Sequence, residues 1–372
     1  MMTPRERVRT AFAHSMPDFT PCDYYATPEI HAALLDYFGL TNLPPSPQQA
    51  STPLGGPGDN VLPERLGTDI RYIAPPYIGP PLSAFDDGST INLWGVRRRP
   101  MPNQFGECAE PVGAPYAVWE TVEQAAAFPW PDPDWFDYES LPAICARYPD
   151  LAIAAGSFSV QDFINGVAFG RGVEQVLIDI ALEDPVFLYI VERRHRFYLE
   201  HVERILRAAR GRIDLVMCGD DFGTQRAPLI SAAKFERLFA AKKKELFDLV
   251  HSFGAKVTHH CCGSSRALIP QFLACGMDAL QTIQRQAAGM DPDELKREFG
   301  GRLVLHGAVD VQGWLQQASI PEIEREVNRL MDEVGHGGGF VLAPCHQLQP
   351  DTPLDHVLAV YRTVARRRGR SL

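Results

Sequence analysis

The stretch AKVTHHCCGSSRALIPQFLACGMDALQTIQ, residues 255–284, contains one complete strand–helix–strand pattern. A short run of β character, AKVTHHCCG, precedes an apolar helical segment, and a second short run, MDALQTIQ, follows it. Similar runs recur after residue 150, each separated from the next by a helical pattern. They are LAIAAGSF, IDLVMCGDD, RLVLHGAVD and GGFVLAPCH. Strands that alternate with helices predict a parallel β/α architecture.

The number of strands favours a closed (β/α)8 TIM barrel. With TPCDYYA near residue 20, seven strands are visible in the sequence, and an eighth is easily hidden. An open, doubly wound sheet is the alternative. Neither a G-x-G-x-x-G motif nor a Walker-type GKS or GKT follows any of these strands, which weakens the nucleotide-binding form of that alternative. We therefore predict one α/β barrel domain spanning residues 1–372.

Residues 41–135 differ from the rest of the chain, because they are rich in proline and glycine, as in NLPPSPQQASTPLGGPGD. They also contain short β-like pieces, TDIRYIA and STINLWGVRRR. Four tryptophans give this region apolar surface to bury: Trp94, Trp119, Trp130 and Trp135. We predict a loop-rich insertion with a small hairpin, forming an ordered cover in the N-terminal part of the barrel.

Composition excludes several classes of protein. A net charge of −10 and a pI near 5.6 argue against a nucleic-acid surface, which needs clustered lysine and arginine. No apolar run approaches the roughly 20 residues that cross a bilayer, and MMTPRERVRTAF lacks the hydrophobic core of a secretion signal. We expect a cytoplasmic protein without membrane contact. Its eight cysteines are scattered except for one adjacent pair, which predicts reduced thiols.

Polar residues stand where the predicted strands end, and in a barrel the active site lies at those carboxyl ends. Asp220 and Asp221 end one strand, and the other strand ends carry Gln284, Asp310 and His346. We therefore expect a small-molecule site at this edge of the barrel.

The HHCC sequence offers two interleaved His-x-Cys pairs. Because side chains alternate across a strand, the apolar Ala255 and Val257 share a face with His259 and Cys261, which we expect to pack against helices. His260 and Cys262 then point into the barrel mouth. A catalytic zinc site needs a third nitrogen or sulfur ligand, and Cys345 is the best remaining thiol. The adjacent His346 is the alternative third ligand.

The sequence resembles the uroporphyrinogen decarboxylase superfamily, and within it the zinc-dependent methyltransferase-like branch. Four segments carry the resemblance well, and the opening RERVRTAFAHSMPDFTPCDYY carries it more loosely. They are DDFGTQRAPLIS (220–231), HCCGSSRALIPQFLACGMDALQTIQ (260–284), FGGRLVLHGAVDVQ (299–312) and GGGFVLAPCHQLQPDTP (337–353). Members of this superfamily are (β/α)8 barrels, so the resemblance implies the same fold as the strand pattern.

The resemblance also implies a site and a reaction. In the methyltransferases of this group a His-x-Cys-Gly motif and a later cysteine hold zinc, which here map onto His260, Cys262 and Cys345. We expect one Zn²⁺ per chain and transfer of a methyl group between a corrinoid and a thiol or pterin such as tetrahydrofolate. Either Asp220 or Asp221 would supply a fourth oxygen ligand. The remaining expected roles are catalytic for Asp221 and Asp310, and substrate-binding for Gln225, Gln284 and His346.

One departure from the family bears on the substrate. Uroporphyrinogen decarboxylases carry an arginine-rich R-Q-A-G-R stretch after the first strand, which grips the substrate's carboxylates. Here CDYYATPEI takes that place, and no arginine occurs between Cys22 and Arg65. A methyltransferase is therefore favoured. The alternatives are a metal-free decarboxylase or lyase acting on a carboxylic acid through Asp221 or Asp310, and a non-catalytic binding member. A corrinoid protein partner and a homo-oligomer are both compatible with the sequence.

Overall fold

A curled parallel sheet of seven strands forms the centre of the protein. The computed structural model describes residues 1–40 and 61–372. The strands run in the spatial order β1-β5-β6-β7-β8-β9-β10, and each pairs in parallel with its neighbours. They are Ile70–Ile73 (β1), Ala152–Gly156 (β5), Leu215–Gly219 (β6), Lys256–His260 (β7), Ala279–Gln281 (β8), Val304–Val309 (β9) and Phe340–Pro344 (β10). The predicted α/β class and parallel architecture are confirmed.

Helices connect the strands, as the alternating pattern predicts. Two long helical stretches contain a π-helical turn, at Glu236–Ala240 and at Leu330–Val334, and single 3-10 turns lie at Pro133–Trp135 and Arg266–Leu268. The α-helices are Pro4–Phe12 (α1), Pro28–Tyr37 (α2), Val61–Leu66 (α3), Val122–Ala126 (α4), Leu141–Cys145 (α5), Asn165–Arg171 (α6), Val173–Leu182 (α7), Pro185–Ala208 (α8), Ala232–Phe235 (α9), Ala241–Ser252 (α10), Ile269–Cys275 (α11), Pro292–Phe299 (α12), Trp314–Gln317 (α13), Ile320–Arg329 (α14) and Leu354–Arg367 (α15). No helix in the described ranges is long and apolar enough to span a membrane.

The first helix closes one end of the curled sheet. α1 begins with a capping box, in which Thr3 and Glu6 satisfy each other's backbone N–H groups. Its Val8 and Phe12 are buried in a small apolar cluster on the inner face of the sheet. The strand residues of that cluster lie mostly at the start of each strand: Ile70, Ala152, Leu215, Ala279 and Val304, together with Ala154 and Val341. α1 therefore covers the amino ends of the strands, and polar side chains are left for the carboxyl ends.

The segment at residues 21–23 lies between the two edges of the sheet. The Asp23 N–H donates to the Leu342 carbonyl of β10, and the Leu342 N–H donates to the Pro21 carbonyl, each over 2.9 Å. On its other side, the Asp69 N–H just before β1 donates to the Cys22 carbonyl over 2.9 Å. The segment thus hydrogen-bonds to β10 and to the residue that leads into β1.

The predicted insertion at residues 41–135 contributes to the main sheet as well as to its surroundings. Residues 41–60 lie outside the described residues. Of the remainder, TDIRYIA supplies β1, an edge strand of the seven-stranded sheet. A separate antiparallel sheet contains the predicted hairpin, with Thr90–Ile91 (β2), Arg97–Asn103 (β3) and Gly106–Pro111 (β4). Trp94 packs edge-on against Phe197 of α8, at 5.2 Å between ring centroids, so the small sheet is anchored on that helix.

Candidate metal centre

Three side chains at the carboxyl ends of β7 and β10 present metal-binding atoms to one another. They are His260, Cys262 and His346, and their donor atoms all lie within 4.8 Å of one another. The Nε2 atom of His260 is 3.2 Å from the Cys262 sulfur. The His260 and His346 rings meet at 5.9 Å between centroids. One imidazole comes from the end of a strand, while the thiol and the second imidazole come from the loops after two strands.

A neighbouring strand fixes the orientation of His260. Its Nδ1 atom hydrogen-bonds to the side-chain oxygen of Gln281 at the end of β8. An amide oxygen only accepts hydrogen bonds, so Nδ1 carries the proton and the lone pair of Nε2 is directed toward Cys262. Metal-bound histidines characteristically have their second ring nitrogen held in this way. Gln281 is a residue that the sequence analysis missed, because it considered Gln284, the last residue of the DALQTIQ run, instead.

Asp221 lies beside the three donors and is itself held by two hydrogen bonds. One carboxylate oxygen accepts the Cys262 N–H at 2.8 Å and lies 3.5 Å from the Nε2 atom of His260. The other accepts from the side-chain amide of Asn165 in α6, at 2.8 Å. A fixed negative charge next to two imidazoles and a thiol favours a bound cation. Asn165 is a second contributor to the site that the sequence patterns do not indicate.

The donor set fits zinc. Nitrogen and sulfur ligands are those of structural and catalytic zinc sites, and two such ligands of one tetrahedral ion lie about 3.5 Å apart, given metal–ligand distances of about 2.0 and 2.3 Å. The 3.2 Å between His260 and Cys262 is close to this separation. Burial lowers the pKa of His346 to about 4, so this imidazole is neutral at physiological pH. A neutral imidazole is the form that binds metal.

Cys345, the predicted third ligand, is not in this group, and His346 takes its place. Cys345 is completely buried, and its thiol interacts with the backbone N–H of Val311 in the loop after β9. Cys345 and His346 follow the end of β10 in a bend of the backbone, and their side chains have different surroundings. Here His346 faces His260. His346 thus lies among the three metal-binding donors, and its predicted contact with the substrate stays a prediction.

Three other residues that were predicted from the sequence, Gln284, Asp310 and Gln225, are not among the metal-binding donors. The Gln284 side-chain oxygen accepts the Gly263 N–H at 2.5 Å and so supports the loop that carries Cys262. The buried carboxylate of Asp310 accepts from Gln286 and from the Gln312 N–H, at 2.7 and 2.6 Å. Gln225 is exposed and contacts Ala288 through its backbone carbonyl. Of these three side chains, that of Gln284 hydrogen-bonds to the loop that carries Cys262.

Asp220 points away from the three donors. Its two carboxylate oxygens accept the backbone N–H groups of Phe163 and Ile164, each at 3.0 Å. Burial raises its pKa well above the ordinary aspartate value, while Lys243, 3.8 Å away, opposes this rise. Asp220 therefore anchors the start of α6 rather than contributing a ligand, and of the two neighbouring aspartates Asp221 is the one beside the site.

His259 and Cys261 face the helices. The His259 ring meets the Phe272 ring of α11 edge-on at 4.9 Å, and its Nδ1 atom is 3.6 Å from the Cys218 sulfur. The Cys261 sulfur accepts the Phe222 N–H at 3.4 Å. Burial lowers the pKa of His259 well below its usual value, which keeps the ring neutral in this apolar layer. The two His-x-Cys pairs thus lie on opposite faces of β7 and its extension.

Comparison with known proteins gives a family match over part of the chain and a shared fold. Residues 197–367 match the family model of uroporphyrinogen decarboxylase (URO-D). No curated protein matches the chain. Among solved structures, a methyltransferase from Methanosarcina mazei is 18% identical and superposes with a TM-score of 0.64, over 98% of both chains.

Two further solved structures are less similar. They are native KDPGal, 13% identical with a TM-score of 0.30 over 67% of this chain and 90% of that one, and a zinc-bound IolI protein, 11% identical with a TM-score of 0.34 over 63% and 83%. The family match includes the strands that carry His260 and His346, and the methyltransferase shares the fold over nearly the whole chain. The resemblance to the uroporphyrinogen decarboxylase superfamily is therefore confirmed.

Proposed function

We propose that this protein is a zinc-dependent methyltransferase of the uroporphyrinogen decarboxylase superfamily, with one Zn²⁺ held by His260, Cys262 and His346. The observation that carries the proposal is the convergence of three donor atoms within 4.8 Å, with one imidazole already oriented by Gln281. Three protein ligands leave a fourth position for a substrate, which is typical of catalytic zinc. The fold shared with a methyltransferase supports the type of reaction.

We also propose that the sheet closes into the eight-stranded barrel of one domain, with residues 21–23 as the eighth strand. The hydrogen bonds of this segment to Leu342 in β10 and to Asp69 before β1 support the closure. A closed barrel would gather the carboxyl ends of all strands around one pocket. The proposed zinc site lies at this end, opposite to α1.

The residues around the donors suit them for activating a thiol. Zinc, when bound, would lower the pKa of a substrate thiol in its open position, so that the thiol becomes a nucleophile at neutral pH. Gln281 keeps the lone pair of His260 Nε2 directed into the site. Asp221 places negative charge 3.5 Å from the same atom. Phe158 lies 5.6 Å from the His260 ring, between centroids, and shields that side of the imidazole from water.

The methyl donor and acceptor that we propose are a corrinoid, alone or carried by a partner protein, and a thiol or tetrahydrofolate. The absence of arginine between Cys22 and Arg65 supports a substrate without many carboxylates. For the lyase alternative, Asp310 is poorly placed, because Gln286 and Gln312 already occupy both of its oxygens. The structure offers no observation that favours this alternative over methyl transfer.

A direct assay tests the proposal. The protein, purified without chelator and analysed for zinc, is incubated with methylcobalamin and a panel of thiols or tetrahydrofolate, and the cobalamin spectrum is followed. We expect demethylation that requires both an acceptor and zinc and that is lost in Cys262→Ala. A metal-free protein, or no spectral change with any acceptor, would contradict the proposal. Carbon dioxide release from a carboxylic acid by such a protein would instead indicate a lyase.

A further inference from the structure

α7, residues 173–182, has apolar side chains on its solvent face as well as on its inner face. Val176 and Ile180 are buried against the rest of the protein. The solvent face carries four exposed aliphatic side chains: Val173, Leu177, Ile178 and Leu182. Val173 is 66% exposed and Leu182 is 76% exposed. Within residues 230–372, all of which the structure describes, no large aliphatic or aromatic side chain is exposed. Contiguous apolar surface of this kind normally marks a site of interaction.

Buried polar contacts hold α7 in one rotation about its axis. The carboxylate of Asp179, on the inner side of the helix, pairs with the Arg171 guanidinium and accepts from the Gln175 amide over 2.7 Å. Arg171 also donates to the carbonyls of Tyr116 and Trp119, each over 3.0 Å. Because Arg171 and Asp179 are both buried, turning the helix would break a buried ion pair. The exposed aliphatic side chains are therefore a fixed part of the surface.

The exposed aliphatic side chains are placed symmetrically about the middle of α7. Consider a second, antiparallel copy of the helix, related to the first by a two-fold axis between positions 177 and 178. Val173 of one copy then lies opposite Leu182 of the other. Leu177 likewise lies opposite Ile178, so that each aliphatic side chain meets another aliphatic one. A two-fold dimer brings the same patch of both copies together, and this self-matching is what such an interface requires.

The charges at the two ends of α7 are complementary in the same arrangement. Glu174, in the first turn, is exposed. In the last turn, the Lys234 ammonium donates to the Ala181 carbonyl over 3.1 Å. Lys234 and Arg237 both pair with Glu183, so two cations and one carboxylate leave this end with a net positive charge. Glu174 and Ala181 are equally far from the two-fold axis, so the carboxylate of one copy would lie beside the cations of the other. An apolar centre with a charged rim is the usual anatomy of a protein interface.

We propose that the exposed face of α7 is the centre of a two-fold dimer interface, in which a second copy of this chain packs its own α7 in the antiparallel direction. The self-matching aliphatic side chains and the opposite charges at the two helix ends both favour a second copy as the occupant. A nucleic acid or an anionic membrane is a poor alternative, because the chain has a net charge of −10. The inference goes beyond the proposed function and does not depend on it.

Sedimentation equilibrium of the full chain tests the proposal. We expect twice the chain mass of 41.3 kDa at micromolar concentration. Leu177→Glu should raise the dissociation constant of the dimer at least about a hundredfold, because each dimer would bring two carboxylates into an apolar interface. Met16→Glu, which changes a 60% exposed residue outside α7, is the matched control and should leave the constant unchanged. A monomeric unaltered chain, or a dimer that Leu177→Glu leaves intact, would overturn the proposal.

Disulfide formation tests the antiparallel direction independently. Val173→Cys and Leu182→Cys are purified separately and oxidised with copper phenanthroline, each alone and after mixing. In the antiparallel pair these two positions face each other, whereas two copies of the same position lie about 13.5 Å apart along the helix axis, too far for a disulfide. The mixture alone should form covalent dimers above the background of the unaltered chain. Equal linking in a single variant, or none in the mixture, would overturn the proposal. Neither measurement uses zinc or a methyl donor, so a failed methyl-transfer assay leaves both unaffected.

Discussion

The Nδ1 atom of His260 is hydrogen-bonded to the side-chain oxygen of Gln281 on the adjacent strand. If this bond orients a zinc ligand, Gln281→Leu should lower zinc affinity about tenfold to a hundredfold, the usual effect of losing a partner of a metal-bound histidine. Gln281→Glu keeps an acceptor and should retain most of the affinity. Competition with a chelating dye, read by absorbance, measures the affinities.

Gln284→Leu is the matched control for this experiment. Gln284 lies three residues further along and bonds to the Gly263 N–H rather than to a donor side chain. Its substitution leaves a buried N–H unsatisfied, which costs about 1–3 kcal/mol of stability. We expect a smaller loss of zinc affinity than in Gln281→Leu. Equal losses in the two leucine variants would show that the Gln281 bond has no special role.

The third ligand that we propose, His346, differs from Cys345, which the family resemblance implies. His346→Ala should abolish stoichiometric zinc binding, because it removes one of three converging donors. Cys345→Ala should retain zinc, and its cost should appear as lower thermal stability, because the thiol is completely buried. Metal analysis of the two purified variants, together with thermal unfolding, decides between them. Zinc lost from Cys345→Ala and kept by His346→Ala would restore the ligand set that the family resemblance implies.

Strand periodicity predicted much of this arrangement but could not complete it. Alternation along AKVTHHCC placed His260 and Cys262 on the opposite face from His259 and Cys261, because successive side chains of a strand point to opposite faces of the sheet. This alternation does not continue past the end of a strand. Cys345 and His346 follow Pro344, the last residue of β10, where the backbone bends. The choice between these two side chains is therefore made by the loop, and sequence periodicity carries no information about it.

Contacts between segments that are distant along the chain could not be predicted from the sequence either. Gln281 is recognisable only once β8 is known to end there and to pair with β7 at His260. Asp23 and His306 are 283 positions apart and meet because residues 21–23 lie beside β10. The fold class, in contrast, follows from local patterns repeated along the chain. Local periodicity therefore predicted the strands, and tertiary packing selected which polar side chains meet.

The two adjacent cysteines should respond differently to substitution. Cys262→Ala removes a donor from the three-atom group and should lose zinc. Cys261→Ala removes an acceptor for the Phe222 N–H from a packed layer and should keep zinc while losing stability. Zinc content and the free energy of unfolding, measured on both variants, make the comparison. Equal zinc losses would show that the two thiols do not differ in function.

Zinc binding should release a proton from Cys262. Burial, and next the charges of Asp221 and Cys261, raise the pKa of this thiol, so it is protonated at neutral pH in the metal-free protein. His346, with its pKa lowered to about 4, is already neutral and contributes no proton above that pH. Because zinc binds the thiolate, Cys262 should make the apparent affinity rise about tenfold per pH unit and fall on acidification.

Calorimetry in two buffers of different ionisation enthalpy measures this release. At about pH 7.5 we expect about one proton per zinc from Cys262, on top of any released by bound water. The same titration of Cys345→Ala should give an unchanged value, since that thiol is outside the donor group. No release from the unaltered protein would mean that Cys262 is not a ligand.

The two aspartates predicted to be catalytic, Asp221 and Asp310, should differ in their effect on zinc binding. Asp221 and Asp310 each accept two hydrogen bonds, so Asp→Asn leaves one donor unsatisfied in either case and costs about 1–3 kcal/mol of stability. Only Asp221 lies against the donors, at 3.5 Å from His260. Asp221→Asn should therefore also weaken zinc binding, because it removes a negative charge beside a dication. Asp310→Asn should bind zinc as the unaltered protein does. Zinc affinities normalised to the folded fraction of each variant test the difference, and a larger zinc loss in Asp310→Asn would place the functional carboxylate after β9 instead of after β6.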